Sequence, residues 1–382
     1  QANGFSADSD AELFWSQDGF RQALSADYEN RYAQLAYQYE DDKVGTLSAM
    51  GDDDDRDNDI SWIAYRHHFF SMILIPEKSF KNADFISESL IDEDDSDASE
   101  FLKRFETQTN LDVRNGQLSA AFDWYIGPTD YNILKQYDEN ISESISFGWG
   151  IIGWINRYVF FPLFGFLSGF LPFGIAIVVM TVIVRLVLSP VTYKSYLSQA
   201  KMKVLRPEIT ELNEKYKKDA GRKQQETMKL YSKAGVNPMA GCVPSLLQLP
   251  VFLGLFYFFP VAFSLRGKSF LWAEDLSSYD AVLDLPFNIP FYGDHISLFP
   301  LLASIAIFFY SKMTMGQQMQ SPQPGMPNMK IMIYLMPVMM LFFFNNYASG
   351  LSLYYFVSNL ITIFIMLVIK NYIIDEQRIH LQ

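Results

Sequence analysis

A single arginine, Arg185, stands inside the otherwise uncharged run 170–188. A cation in an apolar helix is costly unless it faces water or a partner, so it marks a functional position by default. Thr181 lies one turn earlier on the same helix face. Two later apolar segments carry polar stripes. Gly241, Ser245, Gln248 and Phe252 share one face, and Ser352, Tyr355, Asn359 and Thr362 share another. Small and polar residues in membrane helices normally mediate packing. The functional alternative is that these stripes converge on a wet polar groove. Arg185 has its own bland reading: about one turn from Ser189-Pro190, it could snorkel to the membrane edge and do little.

The chemistry that is missing narrows the classes. Five apolar runs, 170–188, 241–263, 296–310, 331–344 and 351–369, contain no Asp, Glu or His. An intramembrane protease needs a carboxylate pair, a zinc site or a nucleophile with its base, and a proton-coupled carrier needs a titratable relay. No Gly-x4-Gly-Lys-Ser/Thr loop occurs. The expectation is a protein that is not an enzyme, takes no cofactor and binds no metal. His67 and His68 are adjacent and would point to opposite faces of a strand, a poor metal pair. The acidic runs 51–57 and 92–97 lack an ordered ligand spacing and read as solvated loops. Cys242 is the single cysteine, a buried thiol with no intrachain disulfide to form.

These residues must be held by two dissimilar regions. Residues 1–146 hold 31 acidic and 11 basic side chains, a balance of −20, whereas 147–382 hold 12 and 19, a balance of +7. Such asymmetry argues for two environments. In the first region, 61–76 and 116–127 are rich in β-branched and aromatic residues and close on Gly or Pro, as strands do. Residues 147–169 crowd Trp149, Trp154 and Tyr158 around Arg157 and Pro162, which suits an aromatic helix lying in the membrane interface. The five apolar runs follow as spans. The third and fourth approach only 15 residues, against about 20 for an ordinary bilayer, so the membrane must thin there or flanking residues must snorkel.

Residues 189–240 carry 11 basic side chains. With Lys312, Lys330, Lys370 and Arg378 on the same side, the positive-inside rule places that loop and the C-terminus in the cytoplasm and the acidic region outside. Within the loop, Met202, Leu205, Ile209, Leu212 and Tyr216 mark an apolar stripe. Pro207 should kink or restart the helix, Lys218-Asp-Ala-Gly221 should turn it, and a second helix should run over 222–234, giving a helical hairpin over 194–238. That hairpin is either a self-packed pair or a basic platform for a partner. Nine methionines between Met313 and Met340, interrupted by Gly and Pro, read as a greasy, mobile cytoplasmic loop or as ordinary packing.

Several stretches resemble YidC-type membrane insertases, the YidC/Oxa/Alb family. Thr181-Val-Ile-Val-Arg-Leu-Val-Leu-Ser-Pro-Val-Thr192 resembles the first core helix, and Ala200-Lys-Met-Lys-Val-Leu-Arg-Pro207 the basic hairpin. Tyr231-Ser-Lys-Ala-Gly-Val-Asn-Pro-Met-Ala-Gly-Cys-Val-Pro-Ser-Leu-Leu-Gln-Leu-Pro-Val-Phe252 is the most specific run, and Gly350-Leu-Ser-Leu-Tyr-Tyr-Phe-Val-Ser-Asn359 resembles the last helix. The likeness covers 148–382 in order. More weakly, Trp124-Tyr-Ile-Gly-Pro128 and the strand around Trp62 resemble the C-terminal part of the periplasmic β-sandwich of Gram-negative members. Those members begin with a signal-anchor helix, so the expectation is a chain lacking its N-terminus.

The resemblance implies a five-helix all-α transmembrane core around a hydrophilic groove, preceded by part of a β-sandwich, in the bacterial inner membrane. It assigns Arg185 as the groove arginine, Thr181 and Tyr355 as lining the substrate path, and Phe252 as a position near it. The polar stripes add Gln248 and Asn359. Tyr355 stands where many relatives carry tryptophan, and little change is expected from that. The implied function is insertion and folding of nascent inner-membrane proteins, alone or with the Sec translocon. The hairpin and C-terminus would face the ribosome and the spans would face membrane lipid, with no nucleic-acid substrate. A small-molecule or anion transporter using Arg185 as its binding charge is the alternative, although no internal repeat of the kind transporters show is visible.

Overall fold

The computed structural model describes residues 2–3, 11–40, 42–92, 99–115, 117–137, 139–217, 219–235, 243–314 and 329–368. The chain divides into two units, Gln1–Phe147 with Tyr257–Arg266, and Gly148–Phe256 with Gly267–Gln382.

The first unit is a β-sandwich. Its strands are β1 (Ala2–Asn3), β2 (Ala11–Phe20), β3 (Gln34–Tyr39), β4 (Lys43–Thr46), β5 (Asp53–Ile60) and β6 (Trp62–Arg66). They continue with β7 (Phe70–Pro76), β8 (Phe80–Ser89), β9 (Phe101–Leu111), β10 (Val113–Arg114), β11 (Gln117–Leu118) and β12 (Phe122–Pro128). Two antiparallel sheets run β2-β9-β8-β5 and β12-β7-β6-β3-β4, with β1-β11-β10 as a small ribbon. Successive strand residues face opposite sides, so each sheet turns one apolar set inward. Leu35, Tyr37, Ile63, Tyr65 and Leu74 of one sheet meet Ile60, Ala83, Phe85 and Phe105 of the other in a single core. Tyr37 stacks on Phe85 with ring centroids 4.1 Å apart. Short helices α1 (Ala26–Asn30) and α2 (Tyr131–Leu134) are capped by the side chains of Ser25 and Asp130.

Two strand expectations change. Residues 61–76 form two strands, because His67-His68-Phe69 turns the chain and His67 N donates to Phe70 O at 2.8 Å to close the turn. Both histidines are buried in that turn and do not alternate along a strand. Residues 117–128 form β11 and β12 with a break at 119–121.

The second unit is helical. α3 (Gly150–Ile155), a π-helical turn (Asn156–Phe160) and α4 (Phe161–Ser168) run end to end. By length and hydropathy Gly150–Ser168 qualifies as a span, as do Phe173–Ser195 and Ser349–Val368. Leu246–Val261, Leu298–Met313 and Tyr334–Phe344 are shorter apolar helices. The remaining helices are α5 (Phe173–Val204), α6 (Arg206–Lys215), α7 (Ala220–Lys233), α8 (Val243–Val261), α9 (Leu298–Thr314), α10 (Met329–Phe344) and α11 (Ser349–Val368). A hairpin of β13 (Ala281–Ile289) and β14 (Gly293–Ser297) precedes α9.

α5 does not stop at Ser189-Pro190. A proline inside a helix leaves the carbonyl four residues back without its N–H donor. Here that carbonyl is Leu186 O, and Ser189 Oγ donates to it at 2.8 Å. Thr192 Oγ1 likewise reaches Leu188 O at 3.1 Å. Hydroxyls of this kind let apolar helices carry proline. The helix breaks at Leu205, and Pro207 enters the first turn of α6, where its missing N–H is harmless. Asp219 caps α7 by accepting from Arg222 N at 2.9 Å. Cys242, Gly241, the segment 315–328, Lys370 and Arg378 lie outside the described residues, as do the side chains of Ser245 and Lys330.

Candidate functional site: a polar cluster between the apolar helices

α5 packs on α11, which packs on α9, which packs on α10. Arg185 is the thirteenth of the 23 residues of the span Phe173–Ser195. Its Nε donates to Ser358 Oγ at 2.6 Å. Ser358 is itself the tenth of the 20 residues of α11. The guanidinium therefore reaches sideways to the middle of a neighbouring helix. Ten residues, about 15 Å of helix axis, separate Arg185 from Ser195, more than an arginine side chain spans. That geometry weighs against the snorkelling reading.

The other site residues gather nearby. Arg185 lies close to both Tyr354 and Tyr355, and Gln248 of α8 and Ser358 face the Tyr354 hydroxyl. Phe252 sets its ring 5.5 Å from that of Tyr355, which stacks on Phe344 at 5.2 Å. These contacts bring α5, α8, α10 and α11 to one place.

Exposure separates the residues into two kinds. Arg185, Gln248 and Phe252 are half-buried. Thr181 is 0% exposed, Tyr355 5% and Asn359 8%. Thr181 Oγ1 donates to Ile177 O at 2.7 Å, and Asn359 Nδ2 donates to Tyr355 O at 2.7 Å. Both side chains spend these hydrogen bonds within their own helix. By contrast, the hydroxyls of Ser352 and Tyr355 are buried with no hydrogen-bond partner among the described residues. A buried polar atom without a partner is rare and calls for a polar ligand or water.

Arg185 shows the same imbalance. Guanidinium has five N–H donors. Among the described residues its one hydrogen bond is to Ser358, and it makes no ion pair. Outside the cluster the helix surfaces are apolar, with Leu186, Val187 and Phe364 well exposed.

Ser358 and Tyr354 were not singled out from the sequence. The stripe on this helix was read in steps of three and four from Ser352 through Tyr355 and Asn359. Ser358 sits three residues after Tyr355 and four before Thr362, on the same face. Thr362 Oγ1 in fact donates to Ser358 O at 2.9 Å.

A cation midway along one of three helices long and apolar enough to cross a membrane, in a chain that also carries a β-sandwich, defines the class: a membrane-type helical unit with a polar cluster among its apolar helices. The chain belongs to the 60Kd inner membrane protein family: residues 158–377 match that family, and residues 7–162 match the YidC periplasmic domain. The motif resemblance read from the sequence and this membership agree. The membrane protein insertase YidC of Parabacteroides distasonis is 42% identical over 96% of this chain and 60% of its own length. That of Bacteroides fragilis is 42% identical over 94% and 59%. The chain thus spans about 60% of the length of the curated relatives it matches. A solved structure described as "Active YidC insertase crystal structure with the first transmembrane domain resolved" matches with a TM-score of 0.43 and 21% identity, covering 89% of this chain and 83% of that one.

Proposed function

We propose that this chain works as a membrane protein insertase and chaperone for inner-membrane proteins, with the Arg185 cluster as the groove that receives a client's polar segment. The observation that carries the reading is a guanidinium midway along its helix, with one hydrogen bond and no ion pair among the described residues, bonded to the helix that also carries the orphaned hydroxyls of Ser352 and Tyr355. A polar or acidic segment entering the groove replaces part of its lost hydration with these groups. The client's apolar helix then partitions into lipid, and that transfer supplies the drive. No bond is made or broken, so the activity is not enzymatic.

In this reading Arg185, Gln248 and Phe252 meet the client. Thr181 and Asn359 shape the wall behind them. The hairpin α6–α7 and the C-terminus face the cytoplasm and the ribosome, and the sandwich faces the periplasm. Residues 1–146, 147–169 and 170–382 are then the periplasmic domain, an interfacial helix with exposed Trp149, Trp154 and Tyr158, and the insertase core. The Sec translocon and membrane lipids are the remaining partners. Neither the geometry nor the relatives' names favour an anion transporter.

The test is photo-crosslinking to a stalled nascent inner-membrane protein from probes at Gln248 and Phe252, with Phe364 as the lipid-facing control. The groove positions should capture the client's polar end. Capture from Phe364 alone would sink the groove.

A further inference from the structure

The loop 267–297 of the helical unit is tied to helix ends from several sides. Buried Asp280 accepts from Phe299 N in the first turn of α9 at 2.7 Å and from Trp272 Nε1 at 2.8 Å. At the start of α11, Ser349 N and Gly350 N donate to Ser278 O and Leu276 O at 2.7 and 3.0 Å. Asn345, after α10, donates to the carbonyls of Tyr292 and His295 and accepts from Ser297 N. The turn at 270–273 rests on the start of α5, since a Cβ on Gly174 would lie 2.1 Å from the Phe270 ring. The loop is therefore rigid and level with the first residues of α5, α9 and α11.

Two turns of this loop are strained in the same way. Leu271 has φ +56° and Phe291 has φ +66°. Every other non-glycine residue with positive φ among the described residues is Asn, Asp or Glu. Glycine or asparagine would make such turns with less strain. Yet Leu271 is 70% exposed and Phe291 93% exposed, so neither strain is offset by packing within the chain. Leu283 and Phe287, on the same loop, are also well exposed. Strained, rigidly mounted and bare apolar side chains point to an apolar medium outside the protein.

We propose that Leu271 and Phe291, with Phe287, anchor this end of the helical unit in the acyl–headgroup boundary of the adjoining lipid leaflet. Lipid is favoured as the occupant because Ser297 passes directly into Leu298 of apolar α9, whose outer face continues through exposed Ile305 and Phe309. The tips are thus continuous with the lipid-facing surface and sit at the depth of helix termini. The charged residues of the hairpin strands are Asp284 and Asp294, so insertion relies on apolar burial and needs no anionic lipid. The proposal rests on reading α5, α9 and α11 as spans and is independent of the groove; its failure leaves the crosslinking test above untouched.

The test uses the full chain with Cys242→Ser, carrying Leu271→Cys, Phe291→Cys or Asp284→Cys singly. Each cysteine is labelled with an environment-sensitive fluorophore in phosphatidylcholine nanodiscs. With a shallow nitroxide lipid added, the labels at 271 and 291 should lose emission and be blue-shifted relative to that at 284, which aqueous iodide alone should quench. Labels at 271 and 291 open to iodide like 284 would overturn the proposal, and so would labels shielded from both quenchers, which indicates a protein cover. A second variant, Leu271→Asn with Phe291→Asn, relieves the strain. It should melt no lower than the parent in detergent, yet gain less melting temperature on transfer to nanodiscs. An equal gain also overturns the proposal.

Discussion

Lys103 in the sandwich and Arg185 in the helical unit are both cations drawn out of water, and their surroundings differ in kind. Lys103 is fully buried. Its three ammonium donors meet three neutral acceptors: Gly51 O at 2.8 Å, Ser48 O at 3.3 Å and Ser87 Oγ at 3.4 Å. Burial pushes its pKa down, with Asp52 and Asp53 opposing. Arg185 is only half-buried and, among the described residues, uses one of its five donors, on Ser358. A cation whose capacity is filled by its own fold is structural, because it holds the 48–51 turn against the sheet. A cation with capacity left over is what the proposed groove requires, since an arriving polar segment can use the remaining donors.

Replacing Arg185 breaks the comparison most forcefully. A charge at the centre of a bilayer costs about 2.5–3.5 kcal/mol. Arg185→Met should therefore slow insertion of a client with an acidic translocated segment by up to about 100-fold, the equivalent of about 2.8 kcal/mol. The melting temperature should barely move, and Arg185→Lys should restore most of the activity. Insertion assays in proteoliposomes read both variants; a lysine as defective as methionine would show that a bare positive charge is the wrong explanation. Lys103→Met should do the reverse. It leaves buried carbonyls without donors, at about 1–3 kcal/mol, and should lower the unfolding free energy of the sandwich while sparing insertion.

How much of this contrast was legible beforehand depends on the kind of signal. Arg185 announced itself, because one charge in an apolar run needs no context. Lys103 did not, since a lysine in an alternating strand reads as solvent-facing until its partners on the 48–51 turn are known. The apolar helices were readable from apolar runs, but the end of α5 was not. Ser189-Pro190 looks like a stop unless Ser189 is seen to satisfy the carbonyl that Pro190 abandons. Ser358 was missed because the stripe was traced through its neighbour Asn359, although Ser358 fits the same face at steps of three and four. The loop 267–297 gave no periodic signal, because its order comes from contacts with distant helix ends such as Asn345 and Ser349.

The sandwich also carries two buried histidines that couple its stability to pH. Burial lowers the pKa of His67 to about 4. It lowers that of His68 to about 3, with nearby Arg66 adding to the effect. The unfolded chain, with ordinary histidine values near 6.5, takes up these protons first. Stability is therefore full above pH 6.5 and falls as pH drops toward 4. One pKa unit is worth about 1.4 kcal/mol, so the two sites together remove about 2 kcal/mol between pH 7 and 5.5. Urea unfolding followed across that range measures it. Replacing both histidines with asparagine should flatten the curve, and an unchanged slope would place the protons elsewhere.

The smallest effect is expected at Thr181, and it sharpens what spare capacity means. Thr181 lies on the same helix face as Arg185, one turn away. Its hydroxyl, however, is already committed to Ile177 O, and the side chain is fully buried. Valine keeps the β-branched shape and removes only that back-bond, which contributes little to a helix. Thr181→Val should therefore change stability by no more than about 0.5 kcal/mol and leave insertion close to that of the parent. Arg185→Met, one turn along, should not. If Thr181→Val were as damaging as Arg185→Met, the hydroxyl would have to leave Ile177 and meet the client directly. The division between residues that shape the wall and residues that receive the client would then fall.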